Sequence, residues 1–246
     1  MLTSFGSKLN VVVVGATGGI GAAFVDALDQ DPSVERIFAF SRSGQSQASH
    51  KIVRGVIDYD NEDTILAAAQ RVATWGFCHL VIVATGYLHD GDGVGPEKSF
   101  RSLTNDGLLD NFQINTIGPA LVARHFMPLL VRDSKAVFAA LSARVGSISD
   151  NQLGGWYGYR SSKAALNMII KTLAIELGRN RPQTICVGLH PGTVDTALSK
   201  PFQSGVNPDR LFTPQQSADK LLAVVDQLAP QHTGHTFAWD GTPIPF

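Results

Sequence analysis

The chain has no excess of charge of either sign, and this argues against two large classes of partner. Its 246 residues include 20 Lys and Arg against 21 Asp and Glu, which gives a formal net charge of -1 at pH 7. No run of basic residues breaks this balance. Nucleic acids and anionic membrane surfaces are bound by clustered positive charge, so neither is expected as a partner.

Cysteine and long apolar segments are also scarce. Cys78 and Cys186 each lie within apolar stretches, so we predict buried free thiols rather than a disulfide. The apolar run 11–14 ends at Gly15 and is much too short to span a membrane or to act as a signal sequence. We therefore expect a cytoplasmic protein, folded as one domain over residues 1–246 because this length suffices for one large core.

Short apolar runs alternate with amphipathic segments along the chain. Strands are predicted at 11–14, 36–40, 80–84, 137–141, 184–189 and 235–239, with one more ending before Asp58. Helices are predicted at 20–28, 63–72, 108–130, 157–177 and 215–228. Continuous apolar strands suit a parallel sheet that is covered on both faces. The alternation predicts an α/β fold, a doubly wound Rossmann-type domain with a mainly parallel, seven-stranded sheet. Segment 197–213 is predicted to be a mobile substrate loop.

A phenol and an ammonium stand four residues apart at the start of the fourth predicted helix, in Tyr159 and Lys163. Residues i and i+4 are neighbours on one helix face. A positive charge beside a phenol favours its ionised form, so we expect Lys163 to lower the pKa of Tyr159 below its usual value of about 10. This pair could act as a general acid and base, although the spacing alone also fits an ordinary surface helix.

A glycine-rich turn joins the first predicted strand to the first predicted helix. Residues without a Cβ allow a tight turn and a close backbone approach to a pyrophosphate, whose charge would sit at the helix N-terminus. Strand, turn and helix in this order predict a dinucleotide site. The expected contact residues are Gly15, Thr17, Gly18, Gly19, Ile20 and Gly21.

The end of the second strand indicates which dinucleotide is preferred. It lacks the acidic residue that would accept hydrogen bonds from a ribose 2′-hydroxyl, and it offers Ser41, Arg42 and Ser43 instead. A guanidinium and hydroxyls suit a 2′-phosphate, so NADP(H) is favoured and NAD(H) stays possible. Asp58 and Tyr59, at the end of the next strand, could flank the adenine ring or could form a plain turn.

Together these features resemble the classical short-chain dehydrogenase/reductase family, over nearly the whole chain from Val11 to Gly241. Segment 156–167, preceded by 144–148, is most similar to the C-factor-like group. The resemblance implies a single Rossmann-type domain, a nicotinamide cofactor, and hydride transfer between an alcohol and a carbonyl compound. It also implies a homodimer or homotetramer that pairs through the long helix and the Tyr159 helix.

The resemblance also assigns roles to individual residues. Tyr159 would exchange the proton, Lys163 would lower its pKa and hold the nicotinamide ribose, and Asn115 would anchor a water linked to Lys163. The remaining residues expected at the cofactor site are Ala84, Thr85, Gly86, Pro191, Gly192, Val194 and Thr196, although segment 83–86 keeps only Gly86 of the family pattern.

Besides segment 83–86, a second position departs from the family pattern. The family places a substrate-orienting serine three residues before a glycine, and relative to Gly146 that position is Ala143. Ser142 stands one residue earlier, and successive side chains of a strand point to opposite faces. Ser142 is assigned the carbonyl-polarising role, with Ser147 and Ser149 as lesser candidates.

Histidines outside this pattern receive no catalytic assignment. His232 and His235 form an HxxH pair without a third ligand cluster, so no metal site is expected. His190 is expected to be a local packing residue, whereas His89 and Asp90 could line the mouth of the site. Trp156 and Tyr157 could form its walls or pack in the core.

The leading hypothesis is an NADP(H)-dependent oxidoreductase that acts on a small or medium apolar carbonyl or alcohol substrate. The alternative is a regulatory or signalling protein of the same fold that binds the dinucleotide with little turnover. The C-factor resemblance and Ala143 keep that alternative open.

Overall fold

A computed structural model describes residues 1–46, 48–89 and 95–246 of the chain. The strands are β1 Leu9–Val14, β2 Val34–Ser41, β3 Ile52–Val56, β4 Leu80–Val83, β5 Ala136–Leu141, β6 Thr184–His190, β7 Thr193–Val194, β8 Leu211–Phe212, β9 Thr236–Ala238 and β10 Pro243–Ile244. The α-helices are α1 Gly19–Gln30, α2 Glu62–Ala73, α3 Asn105–Phe112, α4 Gly118–Phe126, α5 Tyr157–Leu177 and α6 Pro214–Gln227.

The central sheet has eight strands in the order β10-β9-β6-β5-β4-β1-β2-β3. All neighbours are parallel except β10, which pairs antiparallel with β9. The prediction of a mainly parallel, doubly wound sheet is confirmed, while the predicted count of seven strands misses β10. That strand has only the two residues Pro243 and Ile244, so it leaves no apolar run to detect.

The run of four valines in β1 shows why the sheet is covered on both faces. Val11 and Val13 pack in a core with α1 and α6, whereas Val12 and Val14 pack in a second core with α2, α4 and α5. All four are at most 1% exposed, because alternate side chains of a strand point to opposite faces. Cys78 and Cys186 are buried free thiols, as predicted.

The long predicted helix 108–130 is interrupted. A π-helical turn, Gln113–Ile117, separates α3 from α4, and a 3₁₀ turn, Met127–Leu129, follows α4. Pro119 has no N–H to give to the carbonyl of Asn115 four residues earlier, which explains why a regular α-helix does not continue. The ring of Tyr59 lies so close to Gly118 that a Cβ there would be 2.0 Å from its Cδ2. The break therefore serves close packing beside Asn115.

The strand order places a cleft at the carboxyl edge of the sheet. β1 lies between β2 and β4, so the connections that follow β1 and β4 leave in opposite directions, and ligands of such sheets bind at this switch point. The glycine turn after β1 and the segment after β4 meet there: a Cβ on Gly15 would be 3.0 Å from the carbonyl carbon of Ala84. Within the described part of the chain, no helix is both long and apolar enough to cross a membrane.

Candidate active site

The N-terminus of α5 is built to hold Tyr159 in place. The three residues before α5 all have a positive φ, in the left-handed region of backbone conformation: Gly154, Gly155 and the N-cap residue Trp156. Glu97 then fixes the first turn, because its Oε2 accepts a hydrogen bond from the backbone N–H of Gly158 at 3.2 Å. The backbone N–H of Trp156 donates to the Glu97 carbonyl. Sequence reasoning missed Glu97, which lies in a loop 61 residues before Gly158.

Lys163 lies one turn after Tyr159, as the spacing predicted, yet its ammonium is directed elsewhere. Nζ donates to the backbone carbonyl of Leu141, at the end of β5, at 2.7 Å. It is 5.8 Å from the centroid of the Tyr159 ring. Lys163 is only 2% exposed, so it is a buried cation held by the sheet.

Burial dominates the acid-base properties of this pair. It raises the pKa of Tyr159 to about 12 and lowers the pKa of Lys163 to about 7. The net pKa of Tyr159 therefore lies above its usual value of about 10 in the chain by itself, and the lowering expected from Lys163 stays a prediction. Removing either group from water disfavours its charged form, and this cost outweighs the attraction between phenolate and ammonium.

Asn115 lies in the π-helical turn and forms hydrogen bonds to the segment after β4 and to α5. Its Oδ1 accepts from the backbone N–H of Tyr87 at 2.9 Å, and its Nδ2 donates to the Tyr87 carbonyl at 2.8 Å. Nδ2 also lies 3.1 Å from Ser162 Oγ, on α5 beside Lys163. The buried amide thus fastens the segment after β4 to the Tyr159 helix.

The glycine turn forms a cradle that side chains would fill. Gly15 has φ +88°, and a Cβ on Gly21 would lie 2.0 Å from the carbonyl oxygen of Gly15. A Cβ on Gly19 would be 2.8 Å from Thr196, so the turn also touches the segment after β6. Among the described residues, no side chain caps the N-terminus of α1. Free N–H groups at a helix start and a backbone open to close approach fit a dinucleotide pyrophosphate.

Ser41, Arg42 and Ser43, which were predicted to contact the 2′-position of the adenosine ribose, differ in exposure and in hydrogen bonding. Ser41 is 3% exposed, and its hydroxyl donates to the Gln45 carbonyl at 3.0 Å. Ser43 accepts from the backbone N–H of Gln45 at 3.3 Å. Arg42 is exposed, and its guanidinium has no ion pair within the described ranges. Arg42 is therefore the group best placed to meet a phosphate.

The side chains of Tyr59 and Thr85 form a hydrogen bond that the sequence did not predict. Tyr59 Oη lies 3.0 Å from Thr85 Oγ1, and burial raises the pKa of this phenol. The ring of Tyr59 packs against Gly118 and so supports the site, and its expected contact with an adenine ring stays a prediction. Asp58 accepts from the backbone N–H of Asp60 at 3.2 Å, as in a turn at a strand end.

Ser142 and Ala143 both line the cavity beside Tyr159, and of the two only Ser142 carries a hydroxyl. The hydroxyl of Ser142 donates to Asn167 Oδ1, on α5, at 2.7 Å, and Thr236 Oγ1 donates to the same oxygen at 3.1 Å. Ser142 borders the cavity beside Tyr159, but its hydroxyl proton is already used. This geometry counts against the polarising role predicted for Ser142. Ser147 is 1% exposed, with its hydroxyl 3.5 Å from that of Ser149, which in turn donates to the Phe246 carbonyl.

A cavity of about 300 Å³ opens beside Tyr159. One wall comes from the segment after β6, and another from loop 197–213, which contains two 3₁₀ turns and β8. Phe202 of that loop packs between Trp156 and His89, with ring centroids 5.0 and 5.6 Å away. The residues of the predicted cofactor segments that line the cavity are Ile20, Pro191, Gly192, Val194 and Thr196.

The remaining histidines and aromatics are now placed. Nε2 of His89 lies 3.0 Å from the Leu198 carbonyl, which holds it at the cavity mouth, whereas Asp90 lies outside the described residues. His232 accepts from the backbone N–H of Ala229 through Nδ1 at 3.0 Å, as a local cap. No cluster of three or more candidate metal ligands occurs among the described residues. Trp156 lines the cavity, while Tyr157 is 39% exposed outside it.

A glycine cradle at the switch point, with a tyrosine and a lysine one helical turn apart beside it, defines a dinucleotide-dependent oxidoreductase site. The family model of the short chain dehydrogenases matches residues 9–207. The chain belongs to the short-chain dehydrogenase/reductase family and is an oxidoreductase.

Individual relatives agree with this assignment. The chain is 31% identical over 233 residues to 1-hydroxy-2-glutathionyl-2-methyl-3-butene dehydrogenase of Rhodococcus sp. (strain AD45), which covers 94% of this chain and 97% of that protein. It is 36% identical over 136 residues to C-signal of Myxococcus xanthus, covering 55% of this chain and 76% of that protein. The resemblance to the C-factor-like group is thereby confirmed.

Solved structures share the whole fold. The NADPH-bound carbonyl reductase from chicken fatty liver superimposes with a TM-score of 0.84 at 24% identity, covering 99% of this chain and 96% of that one. The carbonyl reductase Sniffer of D. melanogaster gives a TM-score of 0.82 at 23% identity, covering 98% and 100%. At these identities the likeness establishes the architecture.

Proposed function

We propose that this chain is an NADP(H)-dependent reductase of a small or medium apolar carbonyl compound, or a dehydrogenase of the corresponding alcohol. The observation that carries the proposal is the cavity that Tyr159 shares with Ile20 of the glycine turn and Thr196 of the segment after β6. A substrate in this cavity would lie between the phenol and the cofactor cradle.

Tyr159 is the proposed acid and base. Bound NADPH supplies a hydride to the carbonyl carbon. The phenol of Tyr159 gives its proton to the carbonyl oxygen, and oxidation of an alcohol reverses both transfers. Since burial raises the pKa of Tyr159 to about 12, the phenol is protonated at neutral pH, which suits carbonyl reduction.

Lys163 and Asn115 support this proton transfer in the proposal. The ammonium of Lys163 has three donors, of which one is used on Leu141, so two are left for the hydroxyls of a nicotinamide ribose. The side-chain amide of Asn115 is occupied by Tyr87 and Ser162. We therefore assign the relay water to the backbone carbonyl of Asn115, which lacks its α-helical donor because residue 119 is proline.

The preference for NADP(H) rests on Arg42. Its exposed guanidinium follows β2 directly, where a 2′-phosphate would lie, and the end of β2 offers no carboxylate to a free 2′-hydroxyl. The NADPH bound in the chicken enzyme and the NADP bound in a Burkholderia multivorans enzyme of the same fold support this choice.

An apolar substrate is proposed because of the walls of the cavity. Leu88, Trp156, Leu198, Phe202 and Val206 face it, and no Asp or Glu lies among its described lining residues. A volume of about 300 Å³ is at the lower end of small-molecule sites, so a large substrate would have to extend into solvent.

The experiment is NADPH oxidation by the purified chain with a panel of aldehydes, ketones and quinones. Tyr159→Phe should lower turnover about 10²-fold to 10⁴-fold, as loss of a general acid does, while NADPH binding followed by fluorescence stays nearly unchanged. Tyr157→Phe, on the exposed side of the same helix turn, is the matched control. Unchanged turnover in Tyr159→Phe would sink the proposal, and tight NADPH binding with no turnover of any compound would favour the regulatory alternative.

We also propose that copies of the chain pair through α5 and the α3–α4 region. Met168 and Ile175, seven residues apart on α5, are 65% and 56% exposed, and Leu109 on α3 is 58% exposed. Light scattering on a sizing column would test this: Met168→Glu should convert a dimer or tetramer of the native chain into a smaller species, and a native monomer would refute the pairing.

A further inference from the structure

His190 has an unusual place at the substrate cavity. It is the last residue of β6, and it lines the cavity together with Ala143 and Tyr159. Its neighbour Leu189 accepts a hydrogen bond at 2.8 Å from the backbone N–H of Ser142, so the ends of β5 and β6 hold His190 next to residues 142 and 143. Sequence analysis treated this histidine as a packing residue.

The hydrogen-bonding capacity of the His190 ring is unused within the described chain. Nδ1 is fully buried and has no partner, a state shared there only by Thr184 Oγ1, at the other end of β6. Nε2 has no hydrogen bond among the described residues either and is not one of the fully buried atoms, so it is the ring nitrogen that a ligand in the cavity can reach. A buried polar atom without a partner is unfavourable and rare in folded proteins, which calls for an explanation.

The surroundings of His190 favour a neutral ring with its proton on Nε2. Burial and the positive charge of Arg144 lower its pKa to about 4, against a smaller opposing effect of Asp240. A neutral imidazole donates through one nitrogen only. If Nδ1 carried the proton, an N–H would be buried unpaired, whereas a proton on Nε2 can be shared with a group in the cavity.

Reduction of a carbonyl group calls for such a donor. Negative charge grows on the substrate oxygen as hydride adds to the carbon, and an oxygen has room for two hydrogen bonds. Tyr159 supplies one. Ala143 supplies none, and the hydroxyl of Ser142 is bound to Asn167. Arg144 is turned toward Asp150, 3.7 Å away.

We propose that His190 is the second hydrogen-bond donor to the substrate oxygen, through Nε2–H, in place of the hydroxyl that Ala143 lacks. This inference rests on the proposed carbonyl reduction. A neutral imidazole that polarises a carbonyl is an established catalytic device in other folds.

Four variants test the assignment: His190→Leu, His190→Gln, Ala143→Ser, and the double variant His190→Leu/Ala143→Ser. Leucine fills similar space without a donor, and glutamine keeps an N–H near the position of Nε2. His190→Leu should lower kcat/KM about 10²-fold, the usual loss when one such donor is removed, with NADPH affinity and melting temperature little changed. His190→Gln should keep most of the activity. The added hydroxyl should restore the double variant but change the native chain only a few-fold.

Other outcomes would overturn the inference. His190→Leu with native kcat/KM would show that the ring only packs. A loss that Ala143→Ser does not restore would do the same, as would equal losses in the Leu and Gln variants. An inactive native chain beside an active Ala143→Ser variant would refute the role of His190 and leave Tyr159 intact, whereas inactivity of both would refute the proposed function itself. Should His190→Leu fail to fold, a gain near 10²-fold from Ala143→Ser alone would still decide against His190.

Discussion

The ammonium of Lys163 donates to the backbone carbonyl of Leu141 at 2.7 Å, although the pair that the sequence makes conspicuous is Lys163 with Tyr159. The end of β5 therefore fixes the cation, and its charge reaches the phenol through space. Lys163 has no carboxylate partner among the described residues, and burial lowers its pKa to about 7, which has a measurable effect on stability.

We expect the stability difference between the native chain and Lys163→Met to depend on pH. Below pH 7 both folded and unfolded chains carry the proton, and the folded chain bears the full cost of the buried charge. From pH 7 toward 10.5 only the unfolded chain keeps the proton, so native stability rises relative to Lys163→Met, by at most about 1.4 kcal/mol per pH unit. Urea unfolding of both proteins at pH 7 and pH 9 measures this slope. Loss of the hydrogen bond to Leu141 changes the free energy of unfolding of Lys163→Met by the same amount at both pH values. If the difference in free energy of unfolding between the two proteins is the same at pH 7 and pH 9, the assigned pKa is contradicted.

Arg42→Ala should separate the two dinucleotides. A contact between the guanidinium and a 2′-phosphate is worth about 1.5–3 kcal/mol, so the Kd for NADPH should rise about 10-fold to 150-fold, whereas the Kd for NADH should change little. Titration calorimetry with both cofactors measures the ratio. Arg179→Ala, an exposed arginine just beyond the C-terminus of α5, is the control for general loss of charge. Equal weakening of both cofactors would remove Arg42 from the 2′-site.

Glu97 should position Tyr159 through the first turn of α5. Glu97→Ala removes the acceptor for the Gly158 N–H, so we expect about 0.5–2 kcal/mol less stability and a fall in kcat that exceeds any change in KM. Glu97→Gln keeps an oxygen acceptor and should recover kcat. Steady-state kinetics together with thermal melts distinguish this from a merely structural role, in which the kcat of Glu97→Ala would stay native once the chain is folded.

Local pattern accounts for the part of the site that sequence analysis predicted. The glycine turn, Tyr159 and Lys163 occupy short segments whose spacing predicts their chemistry, and the alternating apolar runs predict the strands that hold them. Asn115 was assigned through the resemblance to the family. Glu97 and His190 were missed because their importance arises from neighbours distant in sequence. Ser142 shows a different limit, because its hydroxyl donates to Asn167, 25 residues later in the sequence, and no local pattern predicts that bond.

The helix break at Gln113–Ile117 was missed for a related reason. Apolar periodicity continues through it, so the pattern predicts one long helix. The interruption depends on Pro119 and on the ring of Tyr59 against Gly118, and the latter contact joins segments 59 residues apart. Proline alone gave a signal that could have been used.

Phe202 should control which substrates the cavity retains. The centroid of its ring lies 5.0 Å from that of Trp156 and 5.6 Å from that of His89. These contacts hold loop 197–213 against the apolar wall of the cavity. Phe202→Ala removes a surface that a bound apolar group would cover, and losing about 1–2 kcal/mol of such contact should raise KM for apolar carbonyl compounds about 5-fold to 30-fold. Because Tyr159 and its helix are untouched, kcat should change less than KM. The measurement is a Michaelis–Menten series over ketones of increasing chain length, with Phe100→Ala, an exposed phenylalanine outside the cavity, as the control. A KM that stays native for the longer ketones would show that the substrate does not reach this wall.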